Sequence, residues 1–176
     1  MSDPDVSLGA SHDIGRLLTF EVDGHIYALP IGGILEVAGA GAIRGVPTLP
    51  RSLAGVMNWH GDALPVVATR LIVTPSEDAE ETELADLGGE VADTLDAAPL
   101  QAEHVLVVSD RIGESAKFGL PIDSVRGLVD DSQRSHAEMG EQVVVERRSI
   151  DGRVVSVLDP RRLVARANQV IERLAA

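Results

Sequence analysis

Apolar residues fall along this chain in short clusters punctuated by Gly, Pro and Asp. Leu17-Leu18-Thr19-Phe20-Glu21-Val22 reads as a strand, Asp23-Gly24 as a hairpin turn, and His25-Ile26-Tyr27-Ala28-Leu29 as the return strand. Glycine suits such a turn because it accepts the positive φ the turn needs. Pro30 ends the strand, and Ile34-Leu35-Glu36-Val37 is a further short apolar run. Pro47 and Pro50 bracket a loop that they stiffen, since each fixes φ and lacks an N–H. Leu53 to Trp59 is apolar, and His60-Gly61-Asp62 turns the chain into Ala63-Leu64-Pro65-Val66-Val67. His104-Val105-Leu106-Val107-Val108 is the β-branched run of a buried strand. Residues 116–122 and 125–129 follow, and Gln142 to Glu146 pairs across Asp151-Gly152 with Arg153 to Leu158. Many short strands with such turns predict an all-β fold, barrel or sandwich.

Two stretches depart from that rhythm. Asp159-Pro160 is a helix start, with Asp as N-cap and Pro at the first helical position. Leu163, Val164, Ala167, Val170, Ile171 and Leu174 then share one face, which predicts an amphipathic C-terminal helix over 160–176 packed on a barrel. The other stretch, 74–103, spaces Leu84, Leu87, Val91 and Leu95 like a helix but holds Gly88-Gly89, each glycine costing about 1 kcal/mol. It is expected to be disordered or loosely helical, and residues 1–15 a loose tail.

The strand-rich parts also repeat. Tyr27-Ala28-Leu29-Pro30-Ile31 returns ninety-one residues later as Phe118-Gly119-Leu120-Pro121-Ile122. The same shift lays Gly61 to Val67 on Gly152 to Leu158, and Arg70 on Arg161. A repeat this long implies two similar lobes, about 16–73 and 104–160, rather than a solenoid. Two lobes leave a seam, a natural place for a partner.

Charge narrows the partners. The net charge is −13, which argues against nucleic acid, because phosphate affinity needs clustered Lys and Arg. Ten of the acids, and no Lys or Arg, lie in 74–103, so the remaining chain carries only −3. With no cysteine, disulfides and thiolate metal sites are excluded. The N-terminus lacks the basic and apolar regions of a signal peptide, and no apolar run nears the ~18 residues that span a bilayer. A cytoplasmic protein without membrane insertion is expected.

Catalytic chemistry is hard to find. His12, His25, His60, His104 and His136 show no helical zinc spacing. No G-x-S-x-G motif is present, and Gly39 and Gly41 lack the partners of a phosphate loop. No enzyme activity, cofactor or metal is expected. Trp59, the sole tryptophan, stands beside a turn between Asn58 and His60, and tryptophan is enriched at binding hot spots.

These residues, in this order, resemble the CheW-like coupling (adaptor) proteins of bacterial chemotaxis. The resemblance runs through Phe20-x-Val22, Tyr27 to Ile31, Glu36-Val37, Val46-Pro47-x-x-Pro50, Gly55-Val56-Met57-Asn58-Trp59-His60-Gly61 and Leu64 to Arg70. It resumes from Phe118 to Val125 and closes over Val154 to Leu163, covering 16–167 outside the acidic insert. It implies two similar five-stranded, SH3-like β-barrel lobes in one CheW-like domain. It implies an adaptor without catalysis that joins the regulatory domain of a CheA-type histidine kinase to the signalling tip of a chemoreceptor. The expected partner surface is Glu36, Val37, Asn58, Trp59 and His60, presented by the Pro47–Pro50 loop.

The match departs from the family in two places. His60 stands where the family has arginine, after Trp59 in place of leucine, and Ala68-Thr69 replaces Asp-Leu. In the family that arginine is associated with receptor coupling and lies near the glutamate that corresponds to Glu36. Imidazole cannot reproduce a planar, permanently charged fork. If His60 faces Glu36, a charged pair needs a protonated ring, which an ordinary histidine has only below about pH 6.5. An alternative reading is therefore a divergent regulator in a gliding or pilus motility pathway that binds kinase without receptor.

Overall fold

The computed structural model describes residues 15–45, 53–73, 102–110, 115–131 and 142–175. The expected tail, the Pro47–Pro50 loop, the acidic insert up to residue 101 and His136 lie outside the described residues.

Three tight turns set the strand register. Asp23 (φ 50°), His60 (φ 50°) and Asp151 (φ 49°) are each followed by a glycine at φ 76°, 97° and 75°. Two successive residues at positive φ make the two-residue turn whose twist matches the flanking strands. Val22 accordingly faces His25, Trp59 faces Asp62, and Ile150 faces Arg153. The strands are β1 (Arg16–Val22), β2 (His25–Pro30), β3 (Ile34–Gly39), β4 (Ile43–Arg44), β5 (Leu53–Trp59) and β6 (Asp62–Val67), followed by the short helix α1 (Thr69–Val73). The second half adds β7 (His104–Val108), β8 (Phe118–Ile122), β9 (Ser124–Asp130), β10 (Val144–Ile150), β11 (Arg153–Leu158) and the helix α2 (Pro160–Ala175).

The expected repeat is visible in three dimensions. β1, β2, β3, β5, β6 and α1 correspond in order to β7, β8, β9, β10, β11 and α2; β4 has no counterpart. One mixed sheet runs β10-β11-β2-β1-β9, the other β3-β7-β8-β6-β5-β4. Exchanging each strand for its counterpart turns the first order into the second read backwards, without β4. Each sheet thus draws strands from both halves of the sequence, joined by the parallel pairs β2–β11 and β6–β8. The registers match too: Val66 faces Gly119, and ninety-one residues on Val157 faces Ala28. The expected five strands per lobe hold for the first sheet, whereas the two-residue β4 makes the second six-stranded.

Three cores follow from this arrangement. Leu17, Ala28, Val155 and Val157 pack on one face of the first sheet, and Leu64, Val66, Val105, Val107 and Met57 on the matching face of the second. The largest core joins the two sheets: Phe20 and Leu29 from the first meet Phe118 and Leu120 from the second, with Ile72 of α1 and Leu163 and Ala167 of α2. The seam is therefore filled by the chain's own side chains along this core. Each fully buried Leu, Phe or Ile there contributes roughly 1.5–3 kcal/mol of transfer free energy. Tyr27 packs half-buried at its margin and stacks on Phe20 at 6.0 Å.

The C-terminal helix forms as its sequence predicts. Asp159 Oδ1 accepts the Arg162 backbone N–H at 3.0 Å, an N-cap bond that satisfies one of the free amides of the first turn. Leu163, Val164 and Ala167 are buried in the shared core, with Val170 and Ile171 packed against it.

Candidate functional site

The second sheet curls enough to bring its two sides together. Glu36 sits on β3, one margin of the sheet, and Trp59 ends β5, next to the other margin. Across the gap the Trp59 indole Nε1–H donates to Glu36 Oε2 at 2.8 Å. His60 Nε2 lies 3.1 Å from the same oxygen. The His60 ring meets the Trp59 ring edge-on, with centroids 4.7 Å apart and planes at 82°.

Local structure explains the convergence. The turn at His60-Gly61 requires positive φ at both residues, which throws the imidazole back over the end of β5. Histidine is among the non-glycine residues that tolerate this region best. Trp59 packs its ring against the second sheet's core while the indole N–H reaches the rim. The apolar body and polar edge of tryptophan suit such a half-buried position.

Glu36 is held below the ordinary glutamate range. The Trp59 hydrogen bond is the largest cause and the His60 contact the next, both favouring the carboxylate, while partial desolvation opposes them. A carboxylate only accepts hydrogen bonds, so the facing His60 nitrogen must carry a proton; a neutral Nε2–H tautomer supplies one as well as an imidazolium does. The expected approach of His60 to Glu36 is present, but the hydrogen bond itself does not require a charged ring. The Trp59 donor was not anticipated, since a β5 residue reaches a β3 residue only through sheet curvature.

The other expected site residues occupy distinct positions. Val37 is 41% exposed, beside Glu36 on the marginal strand. Its repeat counterpart, Leu128, is 44% exposed on β9, the marginal strand of the first sheet. Asn58 is exposed, and its Oδ1 accepts the Gly61 N–H at 2.9 Å, bracing the turn that carries His60. Pro47 and Pro50 lie outside the described residues. Thr69, one of the departures from the expected motif, donates from its buried hydroxyl to the Pro121 carbonyl at 2.6 Å and ties the start of α1 to β8. Among the described residues no three His, Cys, Asp or Glu side chains converge as a metal site. No helix among them is long and apolar enough to cross a membrane.

A hydrogen-bonded carboxylate, an indole edge and an imidazole thus meet at the exposed margin of a small β-sheet domain. A family model described as the CheW-like domain matches residues 16–168, and the chain belongs to the CheW family. The crystal structure of the scaffolding protein TtCheW from Thermoanaerobacter tengcongensis superposes with a TM-score of 0.53 at 16% identity, covering 85% of this chain and 91% of that one. No curated protein matches the chain. CheW-family proteins are non-catalytic adaptors coupling chemoreceptor and histidine-kinase signalling, and that is the role of this chain.

Proposed function

We propose that this chain joins the regulatory domain of a CheA-type histidine kinase to the cytoplasmic signalling tip of a methyl-accepting chemoreceptor. In this reading it works in the cytoplasm, with Glu36, Val37, Asn58, Trp59 and His60 as partner contacts and Pro47 and Pro50 shaping the loop that presents them. The Glu36–Trp59–His60 cluster carries the proposal, because it gathers three motif positions at an exposed margin next to an exposed apolar residue. Such a patch can supply a few anchors, and interface affinity follows anchors rather than area. Closure of the second sheet between β3 and β5 supports the finer reading of two barrel-like lobes.

Calorimetric titration against the kinase regulatory domain, then against a receptor tip fragment, tests this assignment. Saturable binding to both is expected, weakened when Val37 or Trp59 is replaced. Binding to neither partner overturns it. His60 in place of the family's arginine favours a second reading, a motility regulator that engages kinase alone, which predicts binding in the first titration only.

A further inference from the structure

The first sheet carries a feature apart from the Glu36–Trp59–His60 cluster. A groove of about 640 Å³ opens on its seam-facing side, beyond the shared core. Tyr27 and His25 of β2 line it, with Arg126 of β9, Arg147 of β10 and Arg153 of β11. Arg126 is already paired with Glu21. Arg147 and Arg153 are exposed, and their guanidinium groups make no ion pair or hydrogen bond with any described residue. In a chain of net charge −13, two unpaired guanidinium groups from adjacent strands in one groove form a local cationic site. Asp23 lies near enough to Tyr27 to raise its hydroxyl pKa, after the larger effect of burial, so the turn end of the groove is less cationic than its arginine side.

The chain supplies a ligand of matching charge. Residues 74–101 hold nine carboxylates and no Lys or Arg. They follow directly on Val73, which itself lines the groove. Glu77 and Asp78 are four and five residues further on, within about 13–18 Å of chain reach. Arginine forks bind carboxylates in pairs of parallel hydrogen bonds. Exposed ion pairs are weak one at a time. A short tether offsets that weakness by holding the carboxylates at an effective concentration in about the millimolar range.

We propose that the acidic segment 74–101 binds in cis to the groove formed by Arg147, Arg153 and Tyr27. This goes beyond the adaptor reading and does not depend on it. An acidic partner surface that uses the groove must first displace the segment, which makes the insert an intramolecular competitor.

The absence of cysteine permits a direct test. An Ala85→Cys variant of the full chain carries a nitroxide, and amide line broadening is read by NMR at low salt. Broadening of the His25, Tyr27 and Ser156 amides to below half intensity is expected. It should disappear in 1 M salt, where the Debye length falls to about 3 Å. It should also disappear in an Arg147→Glu/Arg153→Glu variant whose other resonances are unmoved. Uniform or absent broadening in the groove overturns the proposal. So does broadening that appears only when labelled and isotopically marked copies are mixed, because the occupant is then a second molecule.

Discussion

The Trp59 indole donates a 2.8 Å hydrogen bond to Glu36 across the open side of the second sheet, coupling β5 to β3 without a backbone ladder between them. The bond makes the sole tryptophan a reporter on the proposed recognition patch. It also gives Glu36 a defined acid response. Its carboxyl is held below the ordinary value of 4.5, chiefly by Trp59. A depressed native pKa stabilises the fold above the unfolded value, and that contribution is lost as pH falls through the native value. The excess stability of the wild type over Glu36→Gln should therefore be full at pH 7 and shrink below about pH 4.5. Urea unfolding at pH 7 and pH 3.5, followed by tryptophan emission, measures it; a gap that is constant with pH contradicts the bond's role.

His60 separates turn chemistry from recognition. It occupies left-handed backbone at φ 50° ahead of Gly61. Asn-Gly is the preferred pair for such a turn. Replacing His60 with Asn should leave stability unchanged or raise it by up to about 1 kcal/mol, since a left-handed non-glycine residue costs roughly 1–2 kcal/mol. The same change removes the imidazole 3.1 Å from Glu36, so partner affinity should fall. Thermal melts paired with calorimetry decide the point. A loss of stability greater than 1 kcal/mol would mean that His60 is needed for the turn itself.

Pattern and repeat made much of this architecture legible. The three tight turns, the Asp159-Pro160 helix start and the buried face of α2 all rest on local chemistry, which the residues display directly. Strand exchange between the halves was not legible. Alternation tells which face of a strand is buried, not which strand lies beside it, and two similar halves pair equally well within or across the repeat. The two-residue β4 has no periodicity to read. Glu36 and His60 were paired through the family resemblance, whereas Trp59 required sheet curvature. The arginine groove was missed because Arg126 on β9 lies apart from Arg147 and Arg153 on the β10–β11 hairpin, and each strand alone looks like a solvated face.

Gly119 shows where the two halves stop being interchangeable. Its repeat counterpart is Ala28, buried opposite Val157. A Cβ on Gly119 would lie 2.7 Å from Val105 Cγ1 and 3.2 Å from Val66 Cγ2. Val105 is fully buried, and a β-branched side chain has little rotamer freedom to retreat. Gly119→Ala should therefore destabilise by about 1–3 kcal/mol. Val105→Ala should cost less in that background than alone, because it vacates the clash. Denaturant unfolding of both single variants and the double variant measures the coupling; strict additivity is the contrary result.

The C-terminal helix belongs to the fold rather than to a partner. Leu163 is fully buried and shares the seam core with Phe20, Phe118 and Ile72, so three parts of the chain lose contacts when it is shortened. Leu163→Ala should cost about 2–5 kcal/mol, the range set by how far the site collapses around the lost atoms. Arg166 and Gln169, on the outer side of the same helix, interact with each other at 3.4 Å in an exposed pair, and alanine at either should change stability by less than about 0.5 kcal/mol. The contrast distinguishes a core element from a docking helix. A helix whose main task is to bind a partner loses affinity when its apolar face is cut and keeps its melting temperature. A core helix loses melting temperature while the folded fraction binds normally. Melting curves for Leu163→Ala and Arg166→Ala, with kinase-domain affinity measured well below each midpoint, should show the second pattern; a preserved melting temperature with lost affinity assigns the helix to the partner.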